Sequence, residues 1–120
     1  MAAASGAVRV VGHEAIFRVS DVERATDHYE RLGFDVSCHD DSYAFAHRGN
    51  TTIHLAGSEP KDCGGGALYL HVDDAERLAD DWMRAGFTID GPRDEEYGKR
   101  EGAHVDPDGN LIRFGSPIPE

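Results

Sequence analysis

The feature that most constrains this chain is an internal repeat. Shifting the sequence by 53 positions aligns FRVSDVERATDHYERLGFDV (17–36) with LHVDDAERLADDWMRAGFTI (70–89), and eight of the 20 positions are identical. Two copies at so long a spacing indicate a duplicated module and not a solenoid of short units. A chain of 120 residues has the length of one domain. We therefore expect a single domain over 1–120, made of modules at 12–57 and 66–117.

Each copy of the repeat predicts a strand followed by a helix. The first strands are expected at 15–19 and 68–72. Apolar residues then recur at spacings of three and four, which is typical of a helix with one buried face. The two stripes are Val22, Ala25, Tyr29 and Leu32 in the first copy, and Ala75, Leu78, Trp82 and Ala85 in the second. Because Tyr29 and Trp82 lie on these stripes, we expect both in the core.

The ends of the helices and the strands that follow are also marked. Ser20 with Glu23, and Asp73 with Glu76, fit positions where side chains satisfy the first backbone N–H groups of a helix. Gly33 and Gly86 fit the left-handed position at the helix end. Extended segments are expected at 35–38, 42–47, 51–56, 88–90, 100–105 and 110–115, with a flexible joint at 57–66. Each module is thus predicted as βαβββ, and the fold class as α+β.

Charge and hydropathy exclude two classes of partner. With 12 basic and 23 acidic residues the net charge is −11, which argues against a nucleic-acid binder, because phosphates recruit Lys and Arg. No apolar run approaches the roughly 20 residues that span a bilayer, so we expect no membrane partner. The start MAAASGAVRV lacks the features of a signal peptide. Cys38 and Cys63 are therefore expected as free thiols of a cytoplasmic protein.

Alternation along the strands predicts a second sheet face of mixed polar and aromatic character. Side chains on one face are apolar and should lie under the helices. The opposite face carries Glu14, Ile16 and Arg18 on the first strand, Ala67, Tyr69 and His71 on its counterpart, and His54 and Arg113 on the last strands. Such a face suits a ligand-lined groove. The alternative is a partly wet sheet face that binds nothing.

Three segments carry a family resemblance: RVSDVERATDHYERLGF (18–34), LYLHVDD (68–74) and VDPDGNLIRFG (105–115). They resemble the vicinal oxygen chelate superfamily of glyoxalases, bleomycin-resistance proteins and dioxygenases. The resemblance implies two βαβββ modules that form curved mixed sheets around a groove. It specifies the chemistry less well, because this fold hosts isomerases, dioxygenases, epoxide-opening transferases and antibiotic-binding proteins.

The enzymes of this superfamily place metal ligands on the first and last strand of each module. The matching positions are Glu14, His54, Ala67 and Arg113. The choice of His54 rests on matching Ile-His-Leu (53–55) to Ile-Arg-Phe (112–114), and Thr52 is the alternative.

This ligand set is incomplete. Ala67 offers no donor and Arg113 is a permanent cation, whereas a catalytic site needs about three protein ligands. We therefore expect no metal and no other cofactor. If a metal is present, Glu14, His54 and His71 are the ligands we expect. Glu14 otherwise fits a general base, a groove-lining carboxylate or a salt-bridge partner of Arg113.

Without a metal, the resemblance is to the bleomycin-resistance type, whose homodimers hold the drug in interface grooves by stacking aromatic rings on it. The stacking positions carry over to Tyr43, to Tyr97 and to Cys38, where an aromatic residue would be expected. Acidic residues precede both tyrosines, at 40–41 and at 94–96. An aromatic face beside carboxylates attracts a flat cation. The alternative is two solvated acidic loops, each anchored by a tyrosine.

The sequence therefore predicts an antibiotic-resistance binding protein, a homodimer that sequesters a planar, cationic drug of the bleomycin type without chemical change. The predicted ligand-binding residues are Cys38, Asp41, Tyr43, His54, Tyr69, His71, Glu96, Tyr97 and Arg113. Asp41 and Glu96 would hold positive charge, and His54, Tyr69, His71 and Arg113 would line the floor. Alternatives are a metal-dependent lyase, isomerase or epoxide-opening transferase, or a small-metabolite sensor. Pairing of the modules within one chain or between chains is left open.

Overall fold

The structure, a computed structural model, describes residues 6–120. Residues 1–5 lie outside the described part. They include the beginning of the expected domain and half of the segment MAAASGAVRV, in which we expected no signal peptide. The elements are β1 (Ala15–Val19), α1 (Val22–Arg31), β2 (Asp35–Asp40), β3 (Tyr43–Arg48), β4 (Thr51–Gly57), β5 (Ala67–His71), α2 (Ala75–Arg84), β6 (Asp90–Asp94), β7 (Lys99–Val105) and β8 (Leu111–Pro117).

The strands form two four-stranded sheets with the same topology. The strand orders are β1-β4-β3-β2 and β5-β8-β7-β6. In each sheet the first strand is parallel to the last and the remaining pairs are antiparallel. The edges β1 and β5 lie next to each other, and the carbonyl oxygen of Arg18 accepts a hydrogen bond from Asn110 Nδ2 at 3.0 Å. The predicted α+β class and the duplicated βαβββ module are confirmed.

The predicted helix stripes form the core. Tyr29 and Trp82 are 0% and 2% exposed. The Tyr29 hydroxyl donates to Asp106 Oδ2 at 2.8 Å, and Trp82 Nε1 donates to the Leu32 carbonyl at 2.9 Å. Both bonds join the first module to the second. Since ten-residue helices are marginal alone, this packing is what holds α1 and α2 in place. No helix in the described range has the length and apolar character needed to cross a bilayer.

The helices begin one residue later than expected. Asp21 and Asp74 are the N-caps, and they accept hydrogen bonds from the backbone N–H of Arg24 and Arg77, at 3.0 Å each. The N-cap assignments of Ser20 with Glu23 and of Asp73 with Glu76 are therefore wrong. Ser20 instead donates from its backbone N–H and its hydroxyl to Asp108, at 3.0 and 2.8 Å. Gly33 and Gly86 have positive φ, as expected at the helix ends.

Two segments differ more from the expectation. The strand predicted at 88–90 is found at Asp90–Asp94, with a register shift against β7 between Asp90 and Arg93. The segment 57–66, predicted as a flexible joint, contains a short 3-10 helix at Pro60–Asp62. It also packs closely, because a Cβ at Gly64 would lie 2.3 Å from the carbonyl oxygen of Asp108.

Candidate functional site

The first sheet carries a hydrogen-bonded chain on the face away from α1. His54 Nε2 lies 2.6 Å from Glu14 Oε1, and His54 Nδ1 lies 2.7 Å from the Tyr43 hydroxyl. A carboxylate only accepts, so in the neutral imidazole Nε2 donates to Glu14 and Nδ1 accepts the Tyr43 proton. Phe45 packs edge-on against His54, with 4.9 Å between ring centroids. We call Glu14, Tyr43, Phe45 and His54 the Tyr43 cluster.

The second sheet carries a different cluster on its corresponding face. The hydroxyl groups of Tyr69 and Tyr97 both donate to the Glu101 carboxylate, at 2.6 and 2.5 Å. Arg113 Nη2 lies 3.5 Å from Glu101 Oε1, and the His71 ring lies 4.9 Å from the Tyr69 ring. We call Tyr69, Tyr97, Glu101 and Arg113 the Glu101 cluster. A cavity of about 300 Å³ opens beside it and is also lined by Asp90, Arg93 and Glu95.

The protonation states within the Glu101 cluster follow from these bonds. Hydrogen bonds from Tyr69 and then Tyr97 lower the pKa of the Glu101 carboxyl, which is therefore an anion at neutral pH. Burial and then the bond to Glu101 raise the pKa of Tyr69 to about 12. The hydrogen bond that Tyr97 donates to Glu101 raises the pKa of Tyr97. Both phenols thus stay protonated at neutral pH and donate their hydroxyl hydrogens to Glu101 in hydrogen bonds.

A glycine makes room for this arrangement. A Cβ at Gly115, the residue opposite Glu101 on β8, would lie 1.9 Å from the Tyr69 hydroxyl oxygen. Any larger residue would therefore displace the phenol from Glu101.

The predicted acidic residues stand in the turns beside the two tyrosines. Asp41 and Glu96 are exposed, each shortly before its tyrosine. Neither is in an ion pair within residues 6–120. Tyr97 is itself 67% exposed. These carboxylates are free to meet a cation that approaches either ring.

The structure does not bring Cys38 together with Tyr43. Cys38 pairs with the buried Ala44, and its Sγ lies 3.8 Å from Thr26 Oγ1 of α1, on the helix side of the sheet. Because Tyr43 and Ala44 are successive residues of β3, the tyrosine points to the opposite face of the sheet. The other predicted residues lie in the two clusters or in their turns, except His71. Its ring lies beside Tyr69, and it also lines a cleft between the modules.

Two residues of these clusters were not expected from the sequence. Phe45 alternates with Tyr43 on β3, and Glu101 alternates with Ala103 on β7. The signal that could have found them is strand alternation, the same signal that placed Tyr69. Alternation can assign Glu101 to this face only when the register of β7 against β8 is known.

The donors at the superfamily's metal positions do not fit a catalytic metal. Ile16 pairs with His54, and Tyr69 pairs with Arg113, so His54 and Arg113 are equivalent in the two modules and Thr52 is not. Ala67 offers no donor, and Arg113 lies against Glu101. Throughout the described range, no three His, Cys, Asp or Glu side chains approach one another as metal ligands would.

Of the three roles open to Glu14, that of a salt-bridge partner of Arg113 is wrong. Glu14 pairs with His54 at 2.6 Å, and Arg113 pairs with Glu101. Glu14 directly precedes β1 of the first sheet, and Arg113 lies on β8 of the second. Strand alternation within a single module does not reveal this separation.

A larger cleft of about 510 Å³ lies between the modules. It is bounded by the β3–β4 turn, the end of β5 and the start of α2, and its lining includes Arg48, His71 and Arg77. Neither Tyr43 nor Tyr97 lines it. We therefore place the candidate site at the two tyrosine clusters.

Proteins of known structure share this fold. A bleomycin-binding protein from the bleomycin-producing Streptomyces verticillus, solved with copper(II)-bleomycin, matches 93% of this chain and 100% of its own, with 24% identity and a TM-score of 0.79. TnmS3, an antibiotic-binding protein from Streptomyces sp. CB03234, matches 92% and 100%, with 27% identity and a TM-score of 0.75. A glyoxalase-related enzyme from Clostridium phytofermentans matches 92% and 98%, with 15% identity and a TM-score of 0.80.

Binding proteins and an enzyme thus share one architecture, which by itself does not decide the activity. No curated protein matches the sequence. The profile of the Glyoxalase/Bleomycin resistance protein/Dioxygenase superfamily matches residues 10–114, which include most of both modules. The chain therefore belongs to the glyoxalase/bleomycin resistance protein/dioxygenase superfamily.

Proposed function

We propose that this protein confers antibiotic resistance by sequestering a planar, cationic drug of the bleomycin type without changing it chemically. The observation that carries the proposal is the matched pair of clusters. Each presents a tyrosine whose hydroxyl donates a hydrogen bond to a neighbouring side chain, with an exposed acid in the adjacent turn. The similarity to antibiotic-binding proteins supports it.

The binding energy comes from stacking and charge together. Tyr43 and Tyr97 offer ring faces to a flat ligand, and a cation over such a face gains about 0.5–2 kcal/mol. Asp41 and Glu96 add Coulomb attraction, which the net charge of −11 reinforces at long range. Protection then follows from mass action, because a drug held in the groove is not free to reach its target.

We further propose that the groove forms between two copies of the chain. Within one chain, the strands β4, β1, β5 and β8 lie between β3, which carries Tyr43, and β7, which follows the turn that carries Tyr97. This arrangement favours a groove that two copies share. In such a homodimer Tyr43 of one copy would face Tyr97 of the other.

Exposed apolar surface supports the dimer. Val8, Val10 and Val11 are 92%, 88% and 90% exposed, and Ile16 on the groove face is 59% exposed. A run of exposed apolar side chains marks a surface for association. The free thiols of Cys38 and Cys63 fit a reducing compartment, so we place this dimer in the cytoplasm.

Calorimetric titration with bleomycin tests the proposal. We expect micromolar or tighter binding by the native protein, and a loss of affinity of at least about fivefold in each of Tyr43→Ala and Tyr97→Ala, since each removes one stacking ring worth about 1 kcal/mol or more. Met83→Ala, which removes an exposed apolar residue from α2, is the control and should bind normally. Equal affinity in all four proteins would refute the stacking role.

A second candidate function is an enzyme of the same fold, such as a lyase, an isomerase or an epoxide-opening transferase. The Glu14–His54–Tyr43 chain favours it, because a carboxylate-oriented imidazole is a common general base. Mass and NMR spectra of bleomycin recovered from the complex separate the two. The binding protein returns an unchanged molecule, whereas an isomerase would alter the NMR spectrum at constant mass. Elemental analysis of protein purified without chelator adds the metal content.

A growth test separates resistance from a sensor role, because sequestration raises drug tolerance and a sensor does not.

A further inference from the structure

Glu101 joins three side chains from three different parts of the second module. Tyr69 comes from β5, Tyr97 from the turn between β6 and β7, and Arg113 from β8. Glu101 itself is 5% exposed and sits in the middle of the sheet. A buried carboxylate that accepts hydrogen bonds from two phenols is a strong, charge-assisted anchor.

We propose that Glu101 is a positioning residue of the binding groove, which fixes the ring of Tyr97 in the orientation that stacks on the ligand. This inference rests on the proposed function. It assigns a role to Glu101, which is not one of the stacking residues. Its consequence is that affinity depends on a residue that does not itself need to touch the ligand.

Tyr97 needs such an anchor because little else holds it. It lies in an exposed turn and is 67% exposed, so packing restrains its ring weakly. The bond from its hydroxyl to Glu101 Oε1 ties the far end of the ring to the sheet. A ring that is already ordered loses less conformational freedom when a ligand stacks on it, which raises affinity.

The anchor is itself held from the other side. Tyr69 donates to the second oxygen, Glu101 Oε2, at 2.6 Å, and Gly115 leaves the space that the Tyr69 hydroxyl occupies. Each carboxylate oxygen therefore has its own phenol, and the carboxylate plane is fixed by two bonds. Arg113 is 3.5 Å away and half-exposed, which is too loose to replace them.

A double-mutant cycle with bleomycin as the probe tests this role. Glu101→Gln keeps the shape of the side chain but cannot accept from both phenols. We expect it to weaken binding about three- to tenfold, which is the cost of ordering one side chain. In a Tyr97→Phe background, which has no hydroxyl to anchor, the same substitution should have little further effect. Losses that simply add would overturn the proposal.

Glu95→Gln is the matched control for charge. Glu95 lines the same cavity but does not accept from the Tyr97 hydroxyl, so its effect on binding should be the same in the native and Tyr97→Phe backgrounds. If Glu95 and Glu101 behave alike in the cycle, Glu101 acts through charge alone and the positioning role is wrong.

A pH titration of the tyrosines in the absence of ligand tests the Glu101 anchor without assuming which drug binds. Ultraviolet absorbance follows ionisation of the phenols at alkaline pH. Glu101→Gln should lower the pH at which Tyr97 ionises, assigned by comparison with the Glu101→Gln, Tyr97→Phe double variant. An unchanged titration would show that the anchor does not form. Failure of the native protein to bind bleomycin, with this shift present, would refute the proposed drug but not the anchor.

Discussion

The hydrogen-bond partner of each tyrosine decides what that tyrosine does. Tyr29 is fully buried and donates to Asp106, and burial and this carboxylate raise its pKa. Tyr43 and Tyr97 donate to partners on the open faces of the sheets, where Tyr43 is partly exposed and Tyr97 is exposed. The same residue type therefore forms a buried hydrogen bond in one place and, in our proposal, a stacking surface in two others.

Removing the Tyr29 hydroxyl should destabilise the fold. Tyr29→Phe leaves one acceptor position of the buried Asp106 unfilled, although Asn110 still donates to the same carboxylate. We expect the free energy of unfolding, measured with urea, to fall by about 1–3 kcal/mol. Ser37→Ala removes an exposed hydroxyl and should change it by less than about 0.5 kcal/mol. Equal values for the two variants would contradict this role of Tyr29.

Strand alternation predicted some of the site and missed the rest for definable reasons. The faces of Tyr69, His54 and Arg113 follow from alternation along regular strands. Cys38 was expected beside Tyr43 from the resemblance, whereas its pairing with the buried Ala44 places it on the opposite face of the sheet. Glu101 was missed because a charged residue in KREGAHV is expected to be exposed, and its two phenol donors lie outside β7.

Helix α1 and strand β7 meet through a histidine pair that joins the two modules. His28 Nε2 and His104 Nε2 are 2.9 Å apart, and the rings stack with centroids 5.1 Å apart. His104 Nδ1 lies 3.0 Å from the Thr88 carbonyl and must donate to it, so His28 donates between the rings. Burial, followed by the neighbouring His104, lowers the pKa of His28 from 6.5 to about 4.

This pair predicts acid sensitivity of the module contact. The unfolded chain binds the His28 proton near pH 6.5 and the folded protein near pH 4, so the unfolded state gains protons first as pH falls. Stability should therefore drop between pH 6.5 and 4, by about 1–3 kcal/mol. The other charged groups that act on His28 are Asp27, Arg31 and Asp106.

Unfolding in urea across this pH range measures the effect. His28→Gln cannot be protonated, so its stability should change less with pH than that of the native protein. His13→Gln, an exposed position before β1, should retain the native pH dependence. A native dependence in the His28 variant would contradict our account of the pair.

The predicted elements were correct where local pattern suffices. The helix stripes and the strands of the first module follow from spacing alone. The N-caps were displaced because Ser20 and Asp21 are both good caps, and the choice between them depends on Asp108, which is 88 residues away from Ser20. Strand β6 contains Gly91, Pro92 and two charged residues, a composition that does not indicate a strand.

The two modules of the molecule share one fold but carry different side chains at equivalent positions on the faces away from the helices. Tyr43 pairs with Ala56 on β4, and Glu101 pairs with Gly115 on β8, so Tyr43 and Glu101 occupy equivalent positions. Likewise His54 in the first module corresponds to Arg113 in the second. A dimer that pairs unlike modules would thus build each groove from one Tyr43 cluster and one Glu101 cluster.

A mixed dimer tests this account most directly. The Tyr43→Ala and Tyr97→Ala chains, carrying different affinity tags, are purified together as a heterodimer and titrated with bleomycin. If each groove takes Tyr43 from one copy and Tyr97 from the other, one groove of the heterodimer is intact and the other has lost both rings. We predict half of the native binding capacity, at native affinity. A heterodimer that binds no better than either variant alone would contradict the shared groove.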